Sequence, residues 1–286
     1  MIQFSNFSFK YNSGSKKAVD NISFTVSDGD FVGITGPGGA GKSTLVHSMT
    51  GIVPHEYQGD FYGAVTVDGM DTVEFQPEDI SKVLGCVMQD IEAQLIMPNV
   101  FDEMLFGLEN FGVPHDEIPD RIDEALEMVG ISELKDRETG SLSGGQKQKV
   151  AIAEILALKP KYLVLDEPTG ELDPKSSRKI FELLRDLNEN YGITVVVVEQ
   201  KIMLLCEFAK KLAVMDKGKI VLSGSVSDVL KHIDVMYKAG ISIPRVVSLA
   251  ALLVKRGFHI EKMPIDLNSA AEMVRAAEEE LKGDKT

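Results

Sequence analysis

The chain has 286 residues, and its 44% hydrophobic content allows a sizeable core and excludes a disordered chain. Lysine and arginine number 30 against 44 aspartates and glutamates, so the formal net charge is −14. This acidity argues against a primary nucleic-acid binder, because attraction to phosphate backbones requires a dense basic surface. Cys86 and Cys206 are its only cysteines, too few for a disulfide framework. Its first residues contain no long apolar segment, so we expect a soluble intracellular globular protein.

The first 90 residues show mainly the apolar spacing of strands. Apolar and polar side chains alternate between Ile2 and Val26, which predicts half-buried antiparallel strands. A glycine-rich turn then separates a short apolar strand from a helix. The predicted elements that follow are strands over 30–35, 61–68 and 82–89 and a helix over 42–50.

From about residue 95 to residue 158 the apolar spacing becomes helical, and residues 225–286 are also predicted to be mostly helical. Between these two regions the chain alternates strand and helix. The predicted elements there are strands over 162–166, 193–198 and 211–216 and helices over 174–190 and 201–209. Fully apolar strands separated by helices predict an α/β fold with a parallel sheet covered on both faces. The helical stretch 95–158 would be an insertion between two strands of this sheet.

Residues 36–44, GPGGAGKST, match the phosphate-binding pattern G-x-x-x-x-G-K-[ST] between a predicted strand and a predicted helix. Glycines let backbone N–H groups point inward around a triphosphate, and the helix N-terminus adds a partial positive charge. Lys42 would reach the β- and γ-phosphates, and the Ser43 hydroxyl would complete a Mg²⁺ shell. The predicted nucleotide contacts are Gly36, Gly38, Gly39, Ala40, Gly41, Lys42, Ser43 and Thr44. The alternative is a glycine-rich turn that binds nothing, which the strand–helix context disfavours.

The segment YLVLDEPT (162–169) places two acids, Asp166 and Glu167, at the C-terminal end of a buried strand. Open α/β sheets place their ligand chemistry at this edge. Asp166 would hold Mg²⁺, directly or through water, and Glu167 would orient and deprotonate an attacking water. The alternative is a solvated acidic strand end, which becomes the weaker interpretation once the phosphate loop lies upstream.

LSGGQ at 142–146, the signature segment, offers a second anion-binding surface on the same chain. Ser143 would cap the following helix, and Gly144 and Gly145 would expose its first N–H groups. One nucleotide does not need two separate γ-phosphate cradles. We therefore expect two chains to close on a shared ATP, with the phosphate loop of one facing the signature segment of the other. An ordinary capped helix start is the alternative.

Residues 1–225 resemble the ATP-binding subunits of ABC transporters, which are P-loop NTPases with a mixed sheet core, an antiparallel β subdomain and a helical subdomain. The phosphate loop, the signature segment and LVLDEPT stand in the family's order. By this resemblance, Tyr11 stacks on adenine, and residues 171–173 form a dimer-contact loop. Gln89 is implied to sense the γ-phosphate and Mg²⁺ and to link them to a transmembrane partner.

The resemblance implies ATP and Mg²⁺ as cofactors and a head-to-tail dimer, of identical chains or of paralogues, with two ATP molecules at its interface. Catalysis would depend on Glu167, Gln89 and Gln200. Ser43, Gln89 and Asp166 would hold the metal. The remaining implied nucleotide contacts are Ser143, Gly144, Gly145, Gln146 and Asp173.

Two further segments resemble the energy-coupling factor (ECF) type of these ATPases, which powers uptake of vitamins and transition-metal ions. Residues 87–114 are similar to that group's segment after the glutamine, although Asp90-Ile91 departs from the usual Asn-Pro, and residues 237–257 are similar to its C-terminal helical extension. The resemblance implies an ATPase domain over 1–224, with a helical subdomain at about 95–158, and an extension over 225–286. That extension would help to pair two ATPase chains or would pack on its own domain.

The ECF resemblance also implies the partners of the chain and its location in the cell. The partners would be a transmembrane coupling subunit and a substrate-binding membrane subunit. The chain would lie peripherally at the cytoplasmic face of the cell membrane and would not bind nucleic acid.

Gln200 departs from the ABC pattern, which has a histidine at this position to hold the γ-phosphate. A glutamine amide can donate a hydrogen bond, but a neutral bond is roughly half as strong as a charge-assisted one. We hypothesise that Gln200 weakens the site built on this chain's phosphate loop. This hypothesis leaves open one alternative function, a weakly hydrolysing nucleotide-binding partner in a heterodimer. Independently of Gln200, a soluble ABC-type ATPase that is not coupled to transport is a second alternative.

Overall fold

The computed structural model describes residues 1–260 and 263–283, so residues 261–262 and 284–286 of the predicted extension lie outside the described residues. Its strands are β1 (Ile2–Tyr11), β2 (Val19–Val26), β3 (Phe31–Thr35), β4 (Gly59–Val67), β5 (Met70–Asp71), β6 (Leu84–Val87), β7 (Tyr162–Asp166), β8 (Thr194–Val198), β9 (Lys211–Asp216) and β10 (Lys219–Ser225). Its α-helices are α1 (Lys42–Met49), α2 (Ile52–His55), α3 (Pro77–Ile80), α4 (Ile91–Gln94), α5 (Val100–Asn110), α6 (Ile118–Met128), α7 (Gly144–Ala157), α8 (Pro174–Asn190), α9 (Ile202–Phe208), α10 (Val226–Leu230), α11 (Ile233–Lys238), α12 (Arg245–Lys255) and α13 (Leu267–Gly283).

Six strands form the main sheet in the order β10-β9-β3-β8-β7-β6. The strands from β9 to β6 are parallel, and β10 is antiparallel to β9. Every residue of β3, β7 and β8 is buried, as expected for strands covered on both faces. The predicted parallel sheet is confirmed. The sequence-based prediction omits β10, although its alternating burial is typical of an edge strand.

The central strands direct alternate side chains into two hydrophobic cores. On β8, Val196 and Val198 pack in a core shared with α1 and the antiparallel sheet β2-β1-β4-β5. Val195 and Val197 pack in a second core shared with α5 to α9. Three phenylalanines of β1 are buried in the first core, which confirms the antiparallel strands predicted from the alternation near the N-terminus.

The helices α4 to α7 lie in the chain between β6 and β7, which are parallel neighbours in the main sheet. The helical region is therefore an insertion between two strands of one sheet, as predicted, although its first turn begins at Ile91 rather than near residue 95. Buried apolar residues of α6 and α7, among them Ile122, Leu126 and Val150, hold these helices together. This packing fixes the start of α7, and with it the signature segment, relative to the sheet.

Helices α10 to α13 follow the last strand. Met236, Ile241 and Val247 from this region are buried in the second core, so the extension packs on its own domain. The opposite side of α12 is exposed at Leu249 and Leu252. Across residues 1–260 and 263–283, no helix combines the length and hydrophobicity that crossing a bilayer requires.

Candidate active site

The phosphate loop joins β3 to α1 and encloses its own lysine. Lys42 is buried, and its Nζ donates hydrogen bonds to the carbonyl oxygens of Gly36 (3.0 Å) and Pro37 (3.2 Å). A Cβ at Gly36 would lie 2.4 Å from a backbone oxygen of β9. A Cβ at Gly41, where φ is +100°, would lie 2.4 Å from the Ala18 oxygen. Only glycine fits these two positions, so this backbone course is built into the sequence.

The start of α1 is a natural anion site. Its N-cap residue is Gly41, which has no side chain to satisfy the first N–H groups of the helix, so another acceptor must do so. A Cβ at Gly38 or Gly39 would point into open space with respect to the described residues, whereas Ala40 is buried and its carbonyl accepts the Gly218 N–H over 3.0 Å. The tip of the loop is therefore open and its base is anchored.

Three side chains from separate segments converge on the Glu167 carboxylate. Gln200 Nε2 donates to Oε1 over 2.8 Å, Gln89 Nε2 donates to Oε2 over 3.4 Å, and Lys42 Nζ lies 3.6 Å from Oε1. Glu167 has a φ of +50°, a left-handed conformation that is uncommon for a residue with a side chain and is often found at functional sites. The structure thus brings the three predicted catalytic residues together where β6, β7 and β8 end.

Asp166, the last residue of β7, is only 4% exposed. Burial raises the pKa of its carboxyl, and the nearby Ser43 hydroxyl partly opposes that shift. Its Oδ1 has no hydrogen-bond partner among the described residues, which is costly for a buried carboxylate unless a cation joins it. The oxygens of Asp166 and Ser43 are hard donors of the kind that Mg²⁺ prefers. These residues therefore fit the predicted metal.

Tyr11, at the end of β1, borders the phosphate loop. Its hydroxyl lies 3.0 Å from Thr44 Oγ1, which ties the end of β1 to α1. Its ring packs edge-on against Phe9, with centroids 4.9 Å apart, and against Tyr57, with centroids 6.0 Å apart. Burial raises the pKa of the Tyr11 hydroxyl, so the group is neutral near pH 7. A half-buried aromatic ring beside the loop suits stacking on a base.

The signature segment starts α7, and Ser143 is the N-cap residue as predicted. The Gln146 side chain accepts a hydrogen bond from the Ser143 backbone N–H over 2.9 Å. Ser143, Gly145 and Gln146 line a cleft together with Lys149, Ser176 and Lys179. No residue of the phosphate loop, all of which the structure describes, lines this cleft. Ser143, Gly145 and Gln146 therefore serve a cleft separate from the site around Glu167, whereas Gly144 lines another cleft together with Gln89 and Glu167.

The predicted dimer-contact loop, residues 171–173, packs on its own signature segment. A Cβ at Gly144 would lie 3.2 Å from Leu172 Cδ2. The next residue, Asp173, is the N-cap of α8, and its side chain accepts hydrogen bonds from the N–H groups of Lys175 (2.8 Å) and Ser176 (3.1 Å). Hydrogen bonds from the Ser176 side chain and from these backbone groups hold the pKa of the Asp173 carboxyl below its usual range.

The sequence analysis missed a cluster of charged residues that flanks Gln200. Glu199 is 2% exposed, and its carboxylate accepts hydrogen bonds from the Thr169 hydroxyl and from the N–H groups of Gln200 (2.8 Å) and Lys201 (3.1 Å). Lys201 Nζ in turn donates to the Thr169 carbonyl oxygen over 2.5 Å. One signal was available in the sequence, because opposite charges on both sides of Gln200 directly follow a fully apolar strand.

The comparisons with known proteins agree with this site. Residues 19–170 match the family model described as ABC transporter. The chain is 38% identical to the energy-coupling factor transporter ATP-binding protein EcfA2 of Caldanaerobacter subterraneus subsp. tengcongensis, over 96% of both chains. The cbiO1 structure from Clostridium perfringens, described as part of the ABC transporter complex cbiONQ, is similar with a TM-score of 0.74 and 32% identity, over 87% of this chain and 98% of that one.

A dimeric bacterial ABC transporter cassette is also similar in structure, with a TM-score of 0.67 and 29% identity, over 79% of this chain and 99% of that chain. The family match spans the phosphate loop, the signature segment and both acids at the end of β7. The chain therefore belongs to the ABC transporter family and is the ATP-hydrolysing cassette of a transporter.

Proposed function

We propose that this cassette hydrolyses ATP in a head-to-tail sandwich with a second ATPase chain and thereby energises an ECF-type importer of a vitamin or a transition-metal ion. One observation carries the sandwich. Gln89, Gln200 and Lys42 converge on Glu167, whereas Ser143, Gly145 and Gln146 line a separate cleft. Each half-site therefore needs the complementary half from another chain.

Within the sandwich, Glu167 orients the attacking water and accepts its proton. Lys42 and the first N–H groups of α1 bind the β- and γ-phosphate oxygens, while the partner's signature N–H groups neutralise charge that develops in the transition state. Ser43, Gln89 and Asp166 would hold Mg²⁺, which when bound neutralises phosphate charge.

Exposed apolar side chains on the helical subdomain support docking to a membrane subunit. Ile96, Phe106 and Phe111 are 62%, 38% and 43% exposed, and they lie in the stretch that follows Gln89. Most other apolar residues of α5 are ordinary core. Exposed apolar side chains that follow an active-site glutamine in the chain are suited to report the nucleotide state to a partner. The likeness to EcfA2 and to cbiO1 favours a partner of the ECF type at the cytoplasmic face of the membrane.

We extend the proposal to the domain organisation, with an ATPase domain over 1–224 and a helical extension over 225–286. The extension has one face in the core and one exposed face on α12, at Leu249 and Leu252. Such a face supports a contact between two ATPase chains. The second chain can be an identical copy or a paralogue.

One observation favours a second candidate, a weakly hydrolysing member of a heterodimer. Gln200 supplies an uncharged hydrogen-bond donor at the place where the family pattern has a histidine. In that case the composite site on this chain's phosphate loop would turn over slowly, and the site on the partner's phosphate loop would drive transport.

The transport proposal is tested by co-purification. The chain is co-expressed with the membrane proteins and any second ATPase encoded beside its gene, and the complex is purified in detergent through a tag on a membrane protein. We expect the chain to be recovered with it, and Ile96→Asp to reduce recovery by about fivefold because one interface anchor is lost. Tyr62→Asp is the control, since Tyr62 is 58% exposed on β4. A chain that never joins the membrane proteins and hydrolyses ATP at full rate alone would instead be an uncoupled ATPase.

A further inference from the structure

Lys201 joins two loops at the edge of the active site. Its Nζ donates hydrogen bonds to the carbonyl oxygens of Thr169 (2.5 Å) and Leu172 (3.1 Å) and to Ser177 Oγ (3.0 Å). An ammonium group has three N–H donors, so each one has an acceptor. A single side chain thus fastens the loop after β8 to the loop after β7 and to the first turn of α8.

Glu199 fixes the same two loops from the buried side. Its carboxylate accepts the Thr169 hydroxyl and the N–H groups of Gln200 and Lys201. The charged residues on both sides of Gln200 are therefore each tied to the loop that follows Glu167. A buried carboxylate with several donors and an ammonium with three acceptors resist local opening. We infer that Gln200 and the loop 168–172 move together.

A packing contact continues this connection to the signature segment. Leu172, whose carbonyl accepts from Lys201, has its side chain against Gly144. The path from Gln200 through Lys201 and Leu172 to Gly144 is therefore continuous within one chain. Its ends lie on the two surfaces that, in the sandwich, contact different ATP molecules.

A triphosphate on the phosphate loop would perturb the first end of this path. Lys42 and Gln200 both contact Glu167, and both carry N–H donors that a γ-phosphate would recruit. A shift of Gln200 toward the phosphate would also displace its neighbour Lys201. Lys201 would then lose its three hydrogen bonds unless the loop that carries the acceptors moved with it.

We propose that Lys201 is a positioning residue that transmits nucleotide binding from this chain's own phosphate loop to residues 171–173 and the signature segment. One composite site would thereby prepare the other, and this part of the inference rests on the proposed sandwich. A lysine whose three hydrogen bonds join two loops is a contiguous physical connection through which such coupling can pass.

Hydrogen exchange measured by mass spectrometry tests the transmission within one chain. The full chain carries Ser143→Arg, which should prevent two chains from closing. Adding Mg²⁺ and ATP should slow exchange in residues 36–45 and change it by about tenfold in residues 168–174. When Lys201→Met is introduced into this chain, the ATP-induced change in exchange should persist at 36–45 and be abolished at 168–174 and 142–148. Lys231→Met is the matched control, because within residues 1–260 and 263–283 the Lys231 ammonium makes only an exposed surface pair with Asp228.

The inference would be overturned if ATP changed exchange at 168–174 just as strongly in the Lys201→Met chain. It would also be overturned if a chain that retains Lys201 bound ATP without any change of exchange at 168–174. Lys201→Gln is the second variant if the first does not fold. It keeps a polar group with fewer donors and should lose most of the response, and a full response would again overturn the inference. Light scattering on chains with Ser143 reports sandwich formation separately, so failure of the proposed function is distinguishable.

Discussion

The side-chain amide of Gln200 donates a 2.8 Å hydrogen bond to the carboxylate of Glu167. The bond connects the ends of β8 and β7, and Gln89 and Lys42 approach the same carboxylate. It holds the predicted base in place with a neutral donor, which binds a phosphate oxygen more weakly than an imidazolium would. Glu167→Gln should therefore lower ATP turnover, whereas Gln200→His should raise it.

Glu167→Gln should reduce steady-state ATP hydrolysis by roughly 100-fold to 1,000-fold, because a positioned general base contributes at least that much. ATP affinity, measured by calorimetric titration, should stay within a few-fold of wild type, since Lys42 and the loop backbone are intact. Glu189→Gln, at an exposed position near the end of α8, should hydrolyse ATP normally. Equal rates in the Glu167 variant and the wild type would remove this residue from the chemistry.

Gln200→His should raise the rate of hydrolysis at the site built on this chain's phosphate loop, because a protonated imidazole makes a charge-assisted bond. The gain should grow as pH falls toward about 6.5, where histidine becomes protonated. Gln200→Ala should lower the rate. The pH profile of ATP hydrolysis for the three chains checks this prediction, and no gain, or a loss, with histidine would contradict it.

Two glycines of the phosphate loop should respond differently to a side chain. Gly41→Ala should lower ATP affinity by at least about tenfold, because its Cβ collides with the Ala18 oxygen and φ is positive. Gly38→Ser is the matched control, since a Cβ there meets open space among the described residues. We expect that variant to keep its free energy of unfolding within about 0.5 kcal/mol of wild type in urea titrations. Equal ATP affinities for both variants would contradict the loop geometry.

Glu154 on α7 should make stability depend on pH. Burial, with a smaller contribution from the neighbouring Glu103 carboxylate, raises the pKa of Glu154 to about 8. Its Oε2 has no partner among the described residues. Because an unfolded glutamate has a pKa of about 4.3, the folded state binds more protons between these values, and the free energy of unfolding falls as pH rises through this range. Above about pH 8 this titration no longer changes the free energy of unfolding.

Glu154→Gln removes this titration. The free energy of unfolding of the variant, relative to wild type, should increase by roughly 1 kcal/mol per pH unit between pH 5 and 8. Urea titrations at several pH values measure the difference, and Glu109→Gln, which changes an exposed carboxylate, should show no such trend. A difference that is constant with pH would mean that Glu154 is not buried as described.

The parts of the fold that local signals determine were predictable from the sequence. The bounds of β7 and α8 match the prediction to the residue, because an apolar run follows Pro160 and an Asp-Pro pair starts the helix. The edge strand β10 was missed, since its signal is a weak alternation next to a glycine turn. Lys42 and Glu167 were found because their motifs carry their own spacing, whereas Gln89 and Gln200 were found through the resemblance to the family.

The contacts of Glu199 and Lys201 could not be predicted in the same way. Both reach Thr169, and they can do so only because β7 and β8 are neighbours in the sheet. Strand order is a tertiary property that depends on how the helices cover both faces, and the apolar runs themselves do not encode it. Nor does the sequence show that Glu154 Oε2 lacks a partner among the described residues, since burial of a polar residue depends on packing between helices.

The central claim is that a nucleotide site is complete only when two chains meet. It is tested most directly by ATP hydrolysis per mole of chain over a dilution series, with any paralogous ATPase added at equal concentration, for wild type and for Ser143→Arg. The account predicts that the specific rate of the wild type falls on dilution and that the variant loses at least about 100-fold, as expected when transition-state donors are removed. A specific rate that stays constant at every dilution, and is unaffected by the arginine, would contradict it.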